Sequence, residues 1–225
     1  MKDKELIKRS IEEIRATLPV GVTLIAVSKY HPAEAIEAAY EAGQRDFGES
    51  KAQDLKAKHE LLAKDIRWHF IGHLQSNKIK YIAPFIHLIH SIDSFRLLEE
   101  VNRHGAKNGR RIPCLLQIHI AQEETKFGFT PEECLEMLAC EQWRTLENVE
   151  IRGLMCMASN TDDREQIATE FSAVQELFKK IKARHFSDDE NFSIISAGMS
   201  DDYPIAINHG STHIRVGSSI FAEYK

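Results

Sequence analysis

Three features of the 225-residue sequence predict an α/β fold of the (β/α)8 TIM-barrel type. Eight strand-like segments follow one another, and each but the last is followed by a helix-like segment. Several of these runs are almost continuously apolar, as parallel strands covered on both faces must be. No Gly-x-Gly-x-x-Gly follows the first strand, which argues against an open doubly wound sheet. Eight units leave about 28 residues each, compact but adequate for the architecture. No linker or low-complexity stretch interrupts the pattern, so residues 1–225 are expected to form a single domain.

The chain opens with a helix over 3–18, where Leu6, Ile7, Ile11, Ile14 and Leu18 share a face and Pro19 stops it. It lies outside the eight units and is expected to cover the bottom of the barrel. Residues 22–28 read as the first strand, and 33–42 as a helix opened by Pro32 and closed by Gly43. A short strand over 46–49 and a helix over 51–63 follow. Next come a strand over 66–71, a helix over 75–83 stopped by Pro84, and a strand over 85–92. Ser94 caps a helix predicted to end before Gly105, and 112–120 is a strand. Thr130-Pro131-Glu132-Glu133 is a capping box for the next helix. Strand 149–157, helix 163–184, strand 192–197, a short helix 202–208 before Gly210 and a last strand 213–221 complete the count.

Composition narrows the function classes. A formal charge of −5 gives the whole protein no electrostatic pull toward nucleic acid. Cys114, Cys134, Cys140 and Cys156 show no CxxC spacing, so reduced thiols in a cytoplasmic setting are expected. The charged start Met1-Lys2-Asp3-Lys4-Glu5 has no apolar signal region, and no apolar run reaches membrane-spanning length.

In this fold the chemistry sits at the C-terminal strand ends. Those ends read Lys29, Glu49 and Ser50, Gly72 and His73, Asp93, the loop around Lys126 to Gly128, Met157, Gly198 to Ser200, and Gly217 with Ser218. Lys29 closes the apolar run Leu24-Ile25-Ala26-Val27-Ser28. A lysine desolvated there would have a depressed pKa and could condense with a carbonyl. Taken from the strand alone, a lysine that snorkels to water is the simpler reading. The usual phosphate site is built by the loops after strands seven and eight. Here they read Ala197-Gly198-Met199-Ser200-Asp201-Asp202 and Arg215-Val216-Gly217-Ser218-Ser219, each with a glycine and hydroxyls. Asp201 and Asp202 would repel an anion unless they point outward. Strands one and eight are neighbours in a closed barrel, so an amine facing a phosphate site suits a ligand with an aldehyde and a phosphate. Pyridoxal 5′-phosphate has both. Arg215, two residues before Gly217, would disfavour protonation of a pyridine nitrogen it faced and so weaken the ring as an electron sink; it could equally pair with an acidic residue.

The chain resembles the pyridoxal phosphate homeostasis proteins, a family like the barrel half of the alanine racemases. The resemblance is carried by Ala26-Val27-Ser28-Lys29, Ala42-Gly43-Gln44-Arg45-Asp46-Phe47-Gly48-Glu49, Trp68-His69-Phe70-Ile71-Gly72-His73-Leu74-Gln75-Ser76-Asn77-Lys78, Ile151-Arg152-Gly153-Leu154-Met155, Gly198-Met199-Ser200-Asp201-Asp202 and Arg215-Val216-Gly217-Ser218-Ser219-Ile220-Phe221. It implies a covalent pyridoxal phosphate aldimine at Lys29. It further implies phosphate contacts from Ser200, Gly217 and Ser218 with backbone help near Met199, and Arg215 at the pyridine nitrogen. Two positions depart from the family. Ser50 stands where asparagine is usual, which puts a cofactor contact there in doubt, and Ser218 stands where threonine is common.

The resemblance implies that racemases bring a second acid/base from a further β domain across a dimer, and the sequence ends at Lys225, four residues after the last strand predicted. A monomeric carrier or regulator in vitamin B6 homeostasis is therefore expected, without robust turnover, with pyridoxal-phosphate-dependent apoenzymes as candidate recipients. An amino-acid racemase-like enzyme is the alternative, with Tyr30, His73, Asp93 or Lys126 as second base, and a Schiff-base aldolase of phosphosugars is a third reading. No metal site is expected: His87 and His90 have opposite strand parity, and His69 and His73 lack a third ligand. Lys51, Lys56, Lys58 and Lys64 read as a solvated helix face.

Overall fold

The computed structural model describes residues 2–121 and 127–221. Eight parallel strands close into a barrel in sequence order: β1 (Thr23–Val27), β2 (Asp46–Glu49), β3 (Arg67–Phe70), β4 (Leu88–Ile92), β5 (Ile112–His119), β6 (Val149–Met157), β7 (Ile194–Ser196) and β8 (His213–Val216). The seam is made by β1 and β8, with Thr23 beside His213 and Ala26 beside Val216. Helices cover the outside: α1 (Lys2–Thr17), α2 (Ala33–Glu41), α3 (Ala52–Leu61), α4 (Ile79–Ile82), α5 (Phe95–Lys107), α6 (Pro131–Ala139), α7 (Arg164–His185), α8 (Tyr203–Asn208) and α9 (Ser218–Phe221). Among the described residues no helix is long and apolar enough to cross a membrane.

Local signals fix the helix starts. Ser94 accepts from Leu97 N–H at 3.3 Å, and Asp163 accepts from Glu165 and Gln166 N–H. Thr130 and Glu133 bond each other's backbone as a complete capping box. Several expectations change. The helix predicted to end before Gly105 runs on to Lys107; Gly105 is there because the backbone of Asn148 passes too close for a Cβ. The last strand stops at Val216, and after Gly217 the chain turns into α9, so all eight strands are followed by a helix. The leading helix packs against α2 and α9, and only its C-terminal part reaches the lower rim, where Arg15 bonds the carbonyls of Ala42 and Gly43.

Burial divides into two regions. Most apolar side chains, such as Phe47, Trp68, Leu116 and Ile214, pack between sheet and helices. Inside the barrel a small cluster of Leu88, Leu115, Met155 and Ile194 is apolar. The rest of the lumen holds buried polar groups, among them Asp46, His69, His90, Gln117, Ser196 and Arg215. The register explains the set: Gly48 lies beside His69, His69 beside Leu88, and Ile25 beside Arg215. Barrel interiors are usually filled by branched aliphatic side chains. Polar groups here must find partners inside the barrel.

Candidate functional site

At the C-terminal mouth, β1 ends in a tight turn. Ser28 N–H donates to Gly48 O at 3.0 Å, His31 N–H to Ser28 O at 3.1 Å, and Tyr30 takes a positive φ of 70°. Pro32 then starts α2. Lys29 stands in this turn, two residues beyond the strand, and is exposed. The expectation of a desolvated lysine is not met, because the strand ends before it and the turn lifts it onto the rim. Its Nζ lies 5.8 Å from the Tyr30 ring, whose centroid is also 5.6 Å from Lys51 Nζ.

The turn is held from below by a buried ion pair. Lys58 Nζ donates to Glu49 Oε1 at 2.6 Å and to Ser28 O at 3.0 Å, and Ser28 Oγ donates to the same Glu49 oxygen at 2.6 Å. Lys58 is therefore not part of a solvated face. Its stem folds inward from α3, because the Glu49 carboxylate at the end of β2 is only 1 % exposed and needs a cation. Burial raises the Glu49 carboxyl above its usual range, against the opposing bonds from Lys58 and Ser28. Lys58→Met should destabilise the fold by about 3 kcal/mol at neutral pH. With its cation gone, the folded carboxyl binds a proton more tightly than the unfolded one, so the deficit should shrink as pH falls from about 7 to about 5. Urea melts of both proteins at those two pH values check the sign.

The loops after β7 and β8 meet next to this turn. Ser218 Oγ lies 2.8 Å from Ser200 Oγ, and Gly217 sits against the Cβ and carbonyl of Val27. His31 stacks on Phe221 of α9 at 4.8 Å. Lys29, Gly217, Ser218 and Ser200 thus lie on three consecutive loops. Met199 fits less well. Its side chain is exposed, and its N–H donates to the Asp202 carboxylate at 2.5 Å rather than being free for an anion. Asp202 is buried and turned inward, its carboxyl raised by burial, while Asp201 is exposed.

Arg215 lies in the lumen beneath these loops, 4 % exposed. Its Nη1 donates to Ser196 Oγ at 2.7 Å and its Nη2 to Cys156 O at 2.8 Å. Burial lowers the guanidinium from its usual value, yet an arginine stays charged. Beyond Ser196 the contacts continue: His90 Nδ1 is 2.9 Å from Ser196 Oγ, His90 Nε2 is 2.9 Å from His69 Nδ1, and His69 Nε2 is 3.1 Å from Asp46 Oδ1. Arg67 bonds both Asp46 oxygens. Burial pushes the Asp46 carboxyl up, but the bonds from His69 and Arg67 outweigh it and hold it well below the usual range.

Among the described residues, Asp46, His69 and His87 are close enough to hold a metal ion, their ligand atoms lying within 4.8 Å of one another. Both Asp46 oxygens and both His69 nitrogens are already hydrogen-bonded, and the Arg67 guanidinium opposes a cation there. Period-two parity does not separate His87 from the lumen, since β4 begins only at Leu88; the His87 ring packs edge-on to His69 at 5.3 Å. Desolvation above all lowers both His87 and His213 to about 4. The unfolded chain binds these protons near pH 6.5, roughly the free imidazole value, whereas the folded chain binds them only near 4. Stability should therefore be full above that upper value and fall as pH drops through this window. His213→Gln should flatten the slope in denaturant melts taken across it.

The other candidate bases are distributed around the mouth. His73 Nδ1 is 3.2 Å from Asp93 Oδ2, and its ring stacks on Phe127 at 3.7 Å. Tyr30 is exposed beside Lys29, and Lys126 lies outside the described residues. Sequence reasoning missed Lys58, Ser196 and the link between His69 and His90. The signal available was parity: in a closed barrel, His69, His90, Ser196 and Arg215 all fall on lumen-facing positions.

Comparison with known proteins accords with this geometry. Residues 3–225 match the family profile described as "Alanine racemase, N-terminal domain". The pyridoxal phosphate homeostasis protein of Helicobacter pylori is 40 % identical over 204 residues, covering 90 % of this chain and 88 % of that protein. The protein of the same name from Synechocystis is 38 % identical over 216 residues, covering 94 % and 95 %. Among solved structures, Synechococcus elongatus PipY without PLP superposes with a TM-score of 0.90 at 36 % identity, covering 96 % of this chain and 99 % of PipY. The same protein with PLP bound gives 0.85 at 35 % identity, with the same coverage. Clostridium difficile alanine racemase shares the fold, with a TM-score of 0.76 at 12 % identity; this chain spans 56 % of it. A closed eight-stranded barrel with these motifs on its rim, and relatives of this identity along nearly its whole length, make the chain a member of the pyridoxal phosphate homeostasis protein family.

Proposed function

We propose that this chain holds pyridoxal 5′-phosphate through Lys29 and serves intracellular vitamin B6 homeostasis as a reversible carrier, with pyridoxal-phosphate-dependent apoenzymes as recipients. The observation that carries the reading is the meeting of the Ser200 and Ser218 hydroxyls, 2.8 Å apart, on loops adjoining the Lys29 turn. The donor set fits the cofactor: a primary amine for its aldehyde, two hydroxyls for its phosphate, and a guanidinium that donates to an unprotonated ring nitrogen. When bound, the cofactor supplies an aldehyde that condenses reversibly with amines. The names of the relatives and the PLP-bound form of PipY agree with this.

Each residue has a separable task. Lys58 holds the Ser28 carbonyl and Glu49 accepts from the Ser28 hydroxyl, and together they aim the Lys29 turn. Asp202 fixes the loop after β7 through Met199 N–H, leaving Ser200 beside Ser218. Arg215 would present a fixed positive charge to the ring nitrogen, which would disfavour its protonation and leave the ring a weaker electron sink. That favours holding over turnover. Ser200→Ala and Ser218→Ala should each weaken binding of pyridoxal phosphate about tenfold, the scale of a hydrogen bond to a charged group, by fluorescence titration. Incubation with chiral amino acids in deuterated water tests the carrier reading: steady Cα–H exchange that disappears in Lys29→Ala would make the protein an enzyme.

A further inference from the structure

We propose that Asp46, His69, His90 and Ser196 form a one-directional hydrogen-bond chain that positions Arg215 and links its buried charge to a carboxylate at the opposite end of the barrel. The inference rests on the cofactor reading above only for what Arg215 faces. A guanidinium can only donate, so Ser196 Oγ accepts from Arg215 Nη1. The single hydroxyl proton of Ser196 is then left for His90 Nδ1, 2.9 Å away. His90 is thereby a neutral ring with its proton on Nε2, donated to His69 Nδ1. His69 carries its own proton on Nε2 and donates it to Asp46 Oδ1. The far end agrees, because an ionised carboxylate only accepts, so a His69 ring with one proton carries it on Nε2 and accepts at Nδ1. Every bond dipole is therefore aligned from cation to anion, and such chains strengthen one another.

This alignment answers a cost. Among the described residues Arg215 has no carboxylate within ion-pair distance; its direct partners are a hydroxyl and a carbonyl. A buried cation so placed is expensive unless a counter-charge reaches it. Asp202 acts on it from a distance, and the chain extends it to Asp46, which Arg67 ties to the lower rim. Burial, first of all, keeps the His90 imidazole neutral. His90 faces His69, Arg215, His213 and His87; His69 faces Asp46, with Arg67, His87 and His213 nearby. Ser196 and His90 are positioning residues, with no contact to the ligand required of them.

Two measurements on the full-length protein test the chain. In ¹⁵N-histidine-labelled protein, long-range ¹H–¹⁵N spectra should show His69 and His90 as neutral Nε2–H tautomers from about pH 8 to about pH 6. A Nδ1–H tautomer or an imidazolium at His90 in that range overturns the proposal. Second, Ser196→Ala should weaken binding of pyridoxal phosphate about tenfold. It should leave binding of the deaza analogue, in which carbon replaces the ring nitrogen, unchanged, and Ser196→Thr should restore the loss. Equal weakening for both ligands, or none for either, overturns it. A wild type that binds neither ligand overturns the cofactor reading itself, a failure the imidazole spectra keep separate from that of the chain.

Discussion

Replacing Lys29 with alanine should abolish covalent retention of pyridoxal phosphate. Borohydride reduction of the wild type should add the cofactor's mass at Lys29, and reduction of the variant should add none. Ser200, Ser218 and Arg215 would still offer contacts, so the variant should bind reversibly, with affinity lower by about 100-fold. The fold should be untouched. Lys29 is exposed and its amine lies over the Tyr30 ring, so stability should change by no more than about 0.5 kcal/mol. The stringent comparison is Lys51, whose amine lies by the same ring at 5.6 Å. Mass on Lys51 in the wild-type digest, or undiminished retention in Lys29→Ala, would refute the assignment.

Gly153→Ala should largely prevent folding. Strand β6 carries a bulge here: Ile151 lies beside Cys114 and Gly153 beside Leu115, so two residues of β6 span one step of β5. On its other side Gly153 pairs with Ile194 of β7. With φ at +150°, an added Cβ would lie 1.8 Å from the Ile194 carbonyl oxygen. Neither neighbour can retreat without breaking a ladder of the closed barrel. The cost should be roughly 4 kcal/mol or more, a large share of the stability of an ordinary domain. Gly109→Ala is the control. It also has a positive φ, +60°, but a Cβ there meets nothing within 4 Å, so it should cost only about 1 kcal/mol. Urea melts and soluble yield of the pair separate backbone strain from steric collision; equal losses would show that the contact with Ile194 is relieved.

Legibility followed the range of the forces. Strand 46–49 and strand 149–157 end where the sequence predicts, because the residues that bound a strand are local statements. Ser94, Thr130 with Glu133, and Asp163 cap helices with their own neighbours, a matter of three residues. Strand β8 ends earlier than the sequence predicts because Ile220 and Phe221 continue an apolar pattern that the chain uses instead to bury α9. Lys58 reads as solvated because its charge is like that of its exposed neighbours, and only the buried Glu49 carboxylate nine residues earlier turns it inward.

By itself the sequence determined an eight-unit barrel, the loops that crown it, and the residue types gathered there: Lys29, Ser200, Arg215, Gly217 and Ser218. Periodicity, caps and strand-end motifs are short-range, so they can be read along the chain. Closure of the sheet decided the rest. It set Lys29 on the rim rather than in the interior, gave Met199 N–H to Asp202, and joined His69 to His90 and Ser196 to Arg215 across the lumen. His90 and Ser196 are 106 positions apart. A buried polar atom must bond whatever the fold brings to it, and that choice is made only when the barrel closes.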